Sequence, residues 1–419
     1  MGGLRSTLGQ VGITLNVSDS ENLLANLAGG VKNGATLQGV TTGAMDIDTG
    51  KAFGLQGGTF HVTALQIHGR PLSPDYLDNL QAANGNEAED ATRLWELWYD
   101  QAFAYGRADI KLGQQSIDNE FIVSKYSGLF VNTMAGWPLI PSDDLYGGGP
   151  AYPLAALGAR IQVKPSDNTT VLAGVFDDNP GGGAFSDDAQ ALDASGATFN
   201  LTTGALFIAE LQYAVNEPAF GQMVQPNQPP PGGLPGTYKI GFWYDTGAFP
   251  DQRFAANGLS LANPGGEGRP KMHKDDGSIY AVADQTVWQS AADNARNLNL
   301  FARIMAAPDD QNLIDFSFNG GMTFAAPLPG RDNDQAGIDF GVGHVSGRAA
   351  GLDQDQGLSR RGTETLFELT YQAQVTPWLQ LQPDLQYVIN PGAGLANPDD
   401  NLKRLQNEFV AGLRAITTF

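Results

Sequence analysis

Apolar and polar residues trade places at every second position in segment after segment of this chain. In the closing stretch Phe409, Ala411, Leu413, Ala415 and Phe419 share one face, with Glu408, Gly412 and Arg414 on the other. Leu379, Leu381, Leu385, Tyr387 and Ile389 likewise oppose Gln380, Gln382, Asp384 and Gln386. The pattern recurs in 364–375, 313–324, 297–306 and 106–115. A period of two predicts β-strands. One such strand would pack as readily on a soluble core. Here, however, the polar faces carry amides and full charges throughout, too wet for a protein interior. Apolar on one side and aqueous on the other, the strands predict an all-β chain: a transmembrane antiparallel β-barrel forming one domain over 1–419.

Turn signals divide the chain into about sixteen strands. They centre on 11–18, 36–47, 58–69, 93–103, 106–115, 157–164, 169–177, 204–215, 237–246, 279–289, 297–306, 312–324, 336–346, 363–375, 377–390 and 407–419. An even count places both chain termini on the same side of the membrane. Short links at 104–108, 164–169 and 375–379 read as periplasmic turns. Long ones at 70–92, 116–156, 178–203, 247–278, 347–362 and 391–406 read as external loops. The proline-rich link 216–236 breaks this alternation, being long where parity demands a short turn.

Composition narrows the function. No run of about twenty apolar residues exists, so a helical span is excluded, whereas a barrel strand needs only about ten residues. A net charge of −21 argues against a nucleic-acid partner. The absence of cysteine removes thiolate metal sites and thiol nucleophiles. The four histidines, His61, His68, His273 and His344, lack ligand spacing, so no metal and no cofactor is expected. FDDNPGG (176–182) lacks the EF-hand spacing for calcium. No signal peptide opens the sequence, and the numbering is taken to start at a mature chain with Met1 added.

A last strand closed by a terminal Phe resembles those of bacterial outer-membrane barrels. Residues 93–120, 137–165, 171–182, 238–249 and 367–392 resemble, in order, the carbohydrate-selective porin family (OprB type) of Gram-negative outer membranes. The resemblance implies a sixteen-stranded barrel with external loops folded inward. It also implies passive uptake of glucose and related monosaccharides. The surroundings would be outer-membrane lipid and lipopolysaccharide, with a homotrimer as one compatible assembly.

A sugar pore needs planar polar groups to replace the hydration of hydroxyls, and aromatic rings to cover pyranose C–H faces. Alternation turns Glu96, Trp98 and Asp100 to the lumen, against Trp95, Leu97, Tyr99 and Phe103. Across the turn, Arg107, Asp109, Lys111 and Gln115 share the lumen face, and Arg160, Gln162 and Lys164 follow on the next wall. Arg93 belongs to the same stretch. The loop 116–156, with Asp118, Asn119, Glu120 and Trp137, is apolar enough to need a surface to pack on, and reads as the constriction. Gln66, His68 and Arg70 share one face near the outer mouth, while Arg303, Arg414, Glu368 and Asp384 would set the channel field.

Two other readings compete. A general diffusion porin would show no saturation. A secreted glycan-binding protein or hydrolase could use paired carboxylates such as Glu96 and Asp100, but would be soluble without detergent.

Overall fold

The computed structural model describes residues 3–216, 233–266, 268–291 and 295–419. The barrel strands are β1 (Ile13–Gly30), β2 (Gly34–Asp48), β3 (Gly58–Gly69), β4 (Ala91–Phe103), β5 (Ala108–Gln115), β6 (Ala156–Val163), β7 (Thr169–Asp177) and β8 (Ala205–Val215). They continue with β9 (Gly236–Ala255), β10 (Pro270–Gln289), β11 (Asn297–Ala306), β12 (Ile314–Ala325), β13 (Gln335–Val345), β14 (Thr363–Thr376) and β15 (Leu379–Ile389). A small ribbon, β16 (Ala396–Asn397) with β17 (Asp400–Arg404), precedes the last barrel strand, β18 (Gln406–Thr418). Each barrel strand pairs with its neighbours, and β18 closes the ring against β1, with Leu23 opposite Leu413. Closure satisfies every strand edge, the condition for crossing lipid with sheet.

Alternation sorts the two surfaces. Leu300, Met322, Ile338, Leu369 and Leu385 form one register row on the outer face. Exposed aromatics gather at the two ends of this belt. Phe103, Tyr213, Tyr238, Trp288 and Trp378 lie at the short-turn end, and Phe207, Tyr244, Phe316, Phe367 and Tyr387 at the other. Such girdles mark the interfaces of a membrane barrel.

Two expectations about the elements change, and a third lies outside the described residues. The first strand runs to Gly30, well past 18, and its second half mixes Leu24 with Asn22 and Asn26 on the inner face. Leu24 points inward there and packs on Leu72, Leu77 and Ala83, which hides the alternation. The long loop expected at 247–278 is mostly strand, since β9 and β10 reach 20 residues each and leave only 256–269 between them. Finally, the connection 216–236 falls largely on 217–232, outside the described residues.

Candidate functional site

Two external connections run inside the barrel, and the wall is built to receive them. Wall carboxylates accept loop N–H groups: Glu368 from Val131 and Asn132 at 2.6 and 3.0 Å, Glu210 from Ile122 at 2.9 Å, and Asp284 from Lys125 at 3.0 Å. Glu364 takes Leu80 and Gln81 of the 70–90 loop, both at 2.8 Å. Arg303 works in the opposite sense, donating to the carbonyls of Ile122, Met134 and Gly136. A loop placed away from water must find partners for its backbone, and these charges supply them. β13 turns Gly337, Gly341 and Gly343 inward, where a Cβ would meet Phe130, Gln81 and Leu139 at 2.7, 2.3 and 2.2 Å. Missing side chains therefore let the loops lie directly on the wall.

Ile122, Trp137, Ile140, Trp243 and Tyr280 form the apolar core between loop and wall. Within the loop, Asp144 accepts from Leu313 and Ile314 at 2.9 and 3.2 Å, and burial together with adjacent Asp143 lifts its carboxyl well above the usual range. Burial, with Glu364 nearby, pushes Asp143 up to about 7.

On the opposite wall the 70–90 loop covers part of β1 to β3, where Gln38 donates to Ala88 O at 2.7 Å, and the polar groups left for the bore lie on β2 to β6. Arg160 on β6 donates Nε to Glu120 Oε2 at 2.6 Å and Nη2 to Glu120 Oε1 at 3.0 Å. It also contacts Asp109, and lies 3.5 Å from Asp100. Lys111 reaches Glu120 from β5, and Gln162 donates to Asp109 at 2.9 Å. The bases sit deep, with the Arg160 side chain 6% exposed, whereas Asp100 and Glu120 show 24% and 22%. The surface offered to solute is thus the acceptor oxygens, backed by buried positive charge. Trp98 stands beside this knot with His61 of β3 stacked at 4.5 Å and the Lys111 ammonium 4.4 Å from its centroid. Asp46 joins through His61 at 2.7 Å, and Asn86 of the 70–90 loop crosses to Ser20 of β1 at 3.0 Å.

Of the residues picked from the sequence, Glu96, Trp98, Asp100, Asp109, Lys111, Glu120 and Arg160 come together here. Asn119 is exposed beside them. The others lie elsewhere. Arg107 falls in the turn before β5 and pairs with Asp167 at 2.5 Å on the short-turn rim, so it is no part of the knot. Arg70 is exposed at the outer mouth, 3.9 Å from Asp75, in a polar recess of about 900 Å³ that Asp78, Glu87 and Glu89 also line. Arg93 is 2% exposed behind the loops. A bulge between Leu94 and Glu96 carries Trp95 inward too, its indole donating to Leu154 O at 3.1 Å, so Trp95 is not a lipid-facing residue. Trp137 is buried in the loop core with its indole N–H on Gly148 O at 2.9 Å. Gln115 and Asp118 brace backbone, at Gly158 O and Tyr152 N respectively. Arg303, Glu368 and Asp384 are buried against loops or neighbours rather than open to the channel, and half-buried Arg414 donates to Asn22 and to Asn84 of the 70–90 loop. Sequence reasoning missed Asp46 and the part of the 70–90 loop. Alternation on β2 places Asp46 on the lumen face and could have found it.

A closed barrel, apolar outside, charged within and narrowed by its own loops, defines a transmembrane diffusion pore. The chain belongs to the carbohydrate-selective porin (OprB) family, whose model matches residues 32–419, and it is a sugar-selective porin of the bacterial outer membrane. It is 25% identical to Porin B of Pseudomonas aeruginosa over 448 aligned positions, covering 100% of this chain and 90% of that one. The high-pH structure of Pseudomonas putida OprB superposes with a TM-score of 0.86 at 23% identity, covering 100% of this chain and 97% of that one. The low-pH structure of the same protein gives 0.59 at 17% identity, covering 100% and 96%.

Proposed function

We propose that this porin passes monosaccharides, one ring at a time, along the β2–β6 wall and past the Asp100–Asp109–Glu120–Arg160 knot. The observation that carries the reading is Arg160, gripped at once by Glu120 of the inner loop and by carboxylates of the wall. Wall and loop close on each other there, and polarised oxygens face the gap. Sugar hydroxyls donate to Asp100 and Glu120 as they shed water, so passage replaces hydration stepwise. The Trp98 ring already has His61 and Lys111 against it, so it serves to hold them more than to stack on a pyranose. Binding stays weak, because solute must leave as easily as it enters. The exposed acids favour neutral solutes over sugar acids.

Liposome swelling tests the reading. Monosaccharide entry faster than disaccharide entry, saturating with concentration, supports it. Rates that scale with solute size alone and never saturate would place the protein with general diffusion porins.

A further inference from the structure

Three carboxylates lie together under the external loops with no positive charge to balance them. Asp178 follows β7, and Asp245 of β9 stands directly opposite Asp276 of β10. They are 1%, 0% and 4% exposed. One oxygen of each is bonded. Asp178 Oδ1 accepts from Thr203 and Gly204 at 2.6 and 2.8 Å, and Asp245 Oδ1 from Gly247 at 2.7 Å. Asp276 Oδ1 accepts from Gln311 and Asn312 at 2.8 and 3.0 Å. The other oxygen, Oδ2, is in each case buried and without a hydrogen-bond partner. None of the ion pairs among the described residues involves any of the three. Buried charges of one sign call for a counter-charge or a metal.

The backbone is bare where the oxygens converge. Asp177 pairs with Ala205 and Leu206 with Asp245, so Gly204 lies between Asp178 and Asp245, and a Cβ on it would collide with Asp178 Oδ2. Where a Gly247 Cβ would stand, Asp178 Oδ2 is 2.8 Å away, Asp245 Oδ1 3.0 Å and the Tyr146 ring edge 3.0 Å. One position thus has oxygens of two acids around it, with Asp276 one strand further on and Tyr146 of the inner loop as its roof. No three acidic or histidine side chains close on a single point among the described residues, so water completes the shell. FDDNPGG lacks the EF-hand spacing because it gives only Asp178 to this set. Asp245 and Asp276 come from two later strands.

We propose that Asp178 and Asp245, with Asp276 beside them, hold a calcium ion at the external end of β7 to β10. An oxygen-only set disfavours zinc and copper, which seek nitrogen or sulfur. Magnesium keeps a strict octahedron and most of its own waters, whereas calcium accepts irregular carboxylate cages. The ion ties the start of the 178–203 loop to β9. Tyr146, whose hydroxyl donates to Ala248 O at 2.6 Å, carries that tie to the loop that narrows the bore. The site stands apart from the sugar knot, so loss of sugar selectivity would leave it standing.

Calorimetric titration of calcium into the full chain decides it, on barrels refolded without lipopolysaccharide, which binds calcium itself. One ion per chain is expected, with magnesium bound at least about tenfold more weakly. Joint Asp178→Asn and Asp245→Asn should weaken calcium binding at least about a hundredfold. In chelator the same variant should resist heat better than wild type, because the buried like charges are gone. If it fails to fold, Gly204→Ala, which fills the space beside Asp178 Oδ2, should abolish binding likewise. Asp332→Asn, at an exposed acid elsewhere, should change nothing. No heat of calcium binding, equal affinity for magnesium, or calcium affinity indifferent to the site substitutions in folded barrels overturns the proposal.

Discussion

Arg160 and Glu120 meet as a fork on a carboxylate, Nε to Oε2 at 2.6 Å and Nη2 to Oε1 at 3.0 Å. The one is fixed by β6 and the other by the loop that follows β5, so the pair sets the distance between wall and constriction. Paired geometry of this kind is directional as well as strong.

Arg160→Met should therefore weaken sugar block of the ion current by about tenfold, the equivalent of ~1.4 kcal/mol for a charge-assisted contact. It also leaves Asp100, Asp109 and Glu120 without their shared cation, so the reversal potential in a salt gradient should move towards stronger cation selectivity. Arg107→Ala, at the rim with Asp167, should change neither. Equal effects from the two substitutions would move the constriction.

Arg303 tests the bracing. It is 2% exposed and holds three loop carbonyls. Arg303→Met should leave a folded barrel whose conductance is larger and noisier, with poorer discrimination between mono- and disaccharides. Single-channel traces identical to wild type would mean the loop is held by its apolar core alone.

Loop retention should depend on pH. Burial pushes Glu87, which accepts from Leu72 and Ser73 in the 70–90 loop, up to about 7, as it does Asp143 in the other loop. Both bind a proton more readily folded than unfolded, so the native state carries the extra protons between the usual carboxylate range and about 7. Stability falls as pH rises through that window and is lowest above it. Current noise and protease access to the loops should be greater at about pH 8 than at about pH 5, and Glu87→Gln with Asp143→Asn should flatten the difference. Noise that rises on acidification would reverse the sign and refute the assignment.

Sugar acids should enter more slowly than neutral sugars of the same size. Asp46, Asp100 and Glu120 present their oxygens to the bore at 41%, 24% and 22% exposure, while Arg160 lies behind them. Swelling rates for a hexose and the corresponding hexonate give the comparison. Equal rates would show that the buried bases, not the exposed acids, govern the field.

Much of this was legible in the residues. Strict alternation on β11, β12, β14 and β15 marks their two faces, because lipid and water impose opposite demands on neighbouring side chains. Where a third environment intervenes, the pattern fails. Leu24, Leu65 and Ile67 point inward yet are apolar, because the 70–90 loop covers them, so alternation alone ends β1 too early and does not tell the inner face of β3 from the outer. The bulge beside Trp95 reversed one position in a similar way. Wall charges were legible as lumen-facing. Their division into loop anchors and bore lining was not, since that depends on where two long loops settle in three dimensions.

Single-channel recording in planar bilayers under a glucose titration puts the central claim to its most direct test. Ion current that falls saturably as sugar rises, with the block weakened by Arg160→Met and untouched by Arg107→Ala, is the predicted result. Current indifferent to glucose at every concentration, in a channel that conducts well, would contradict it.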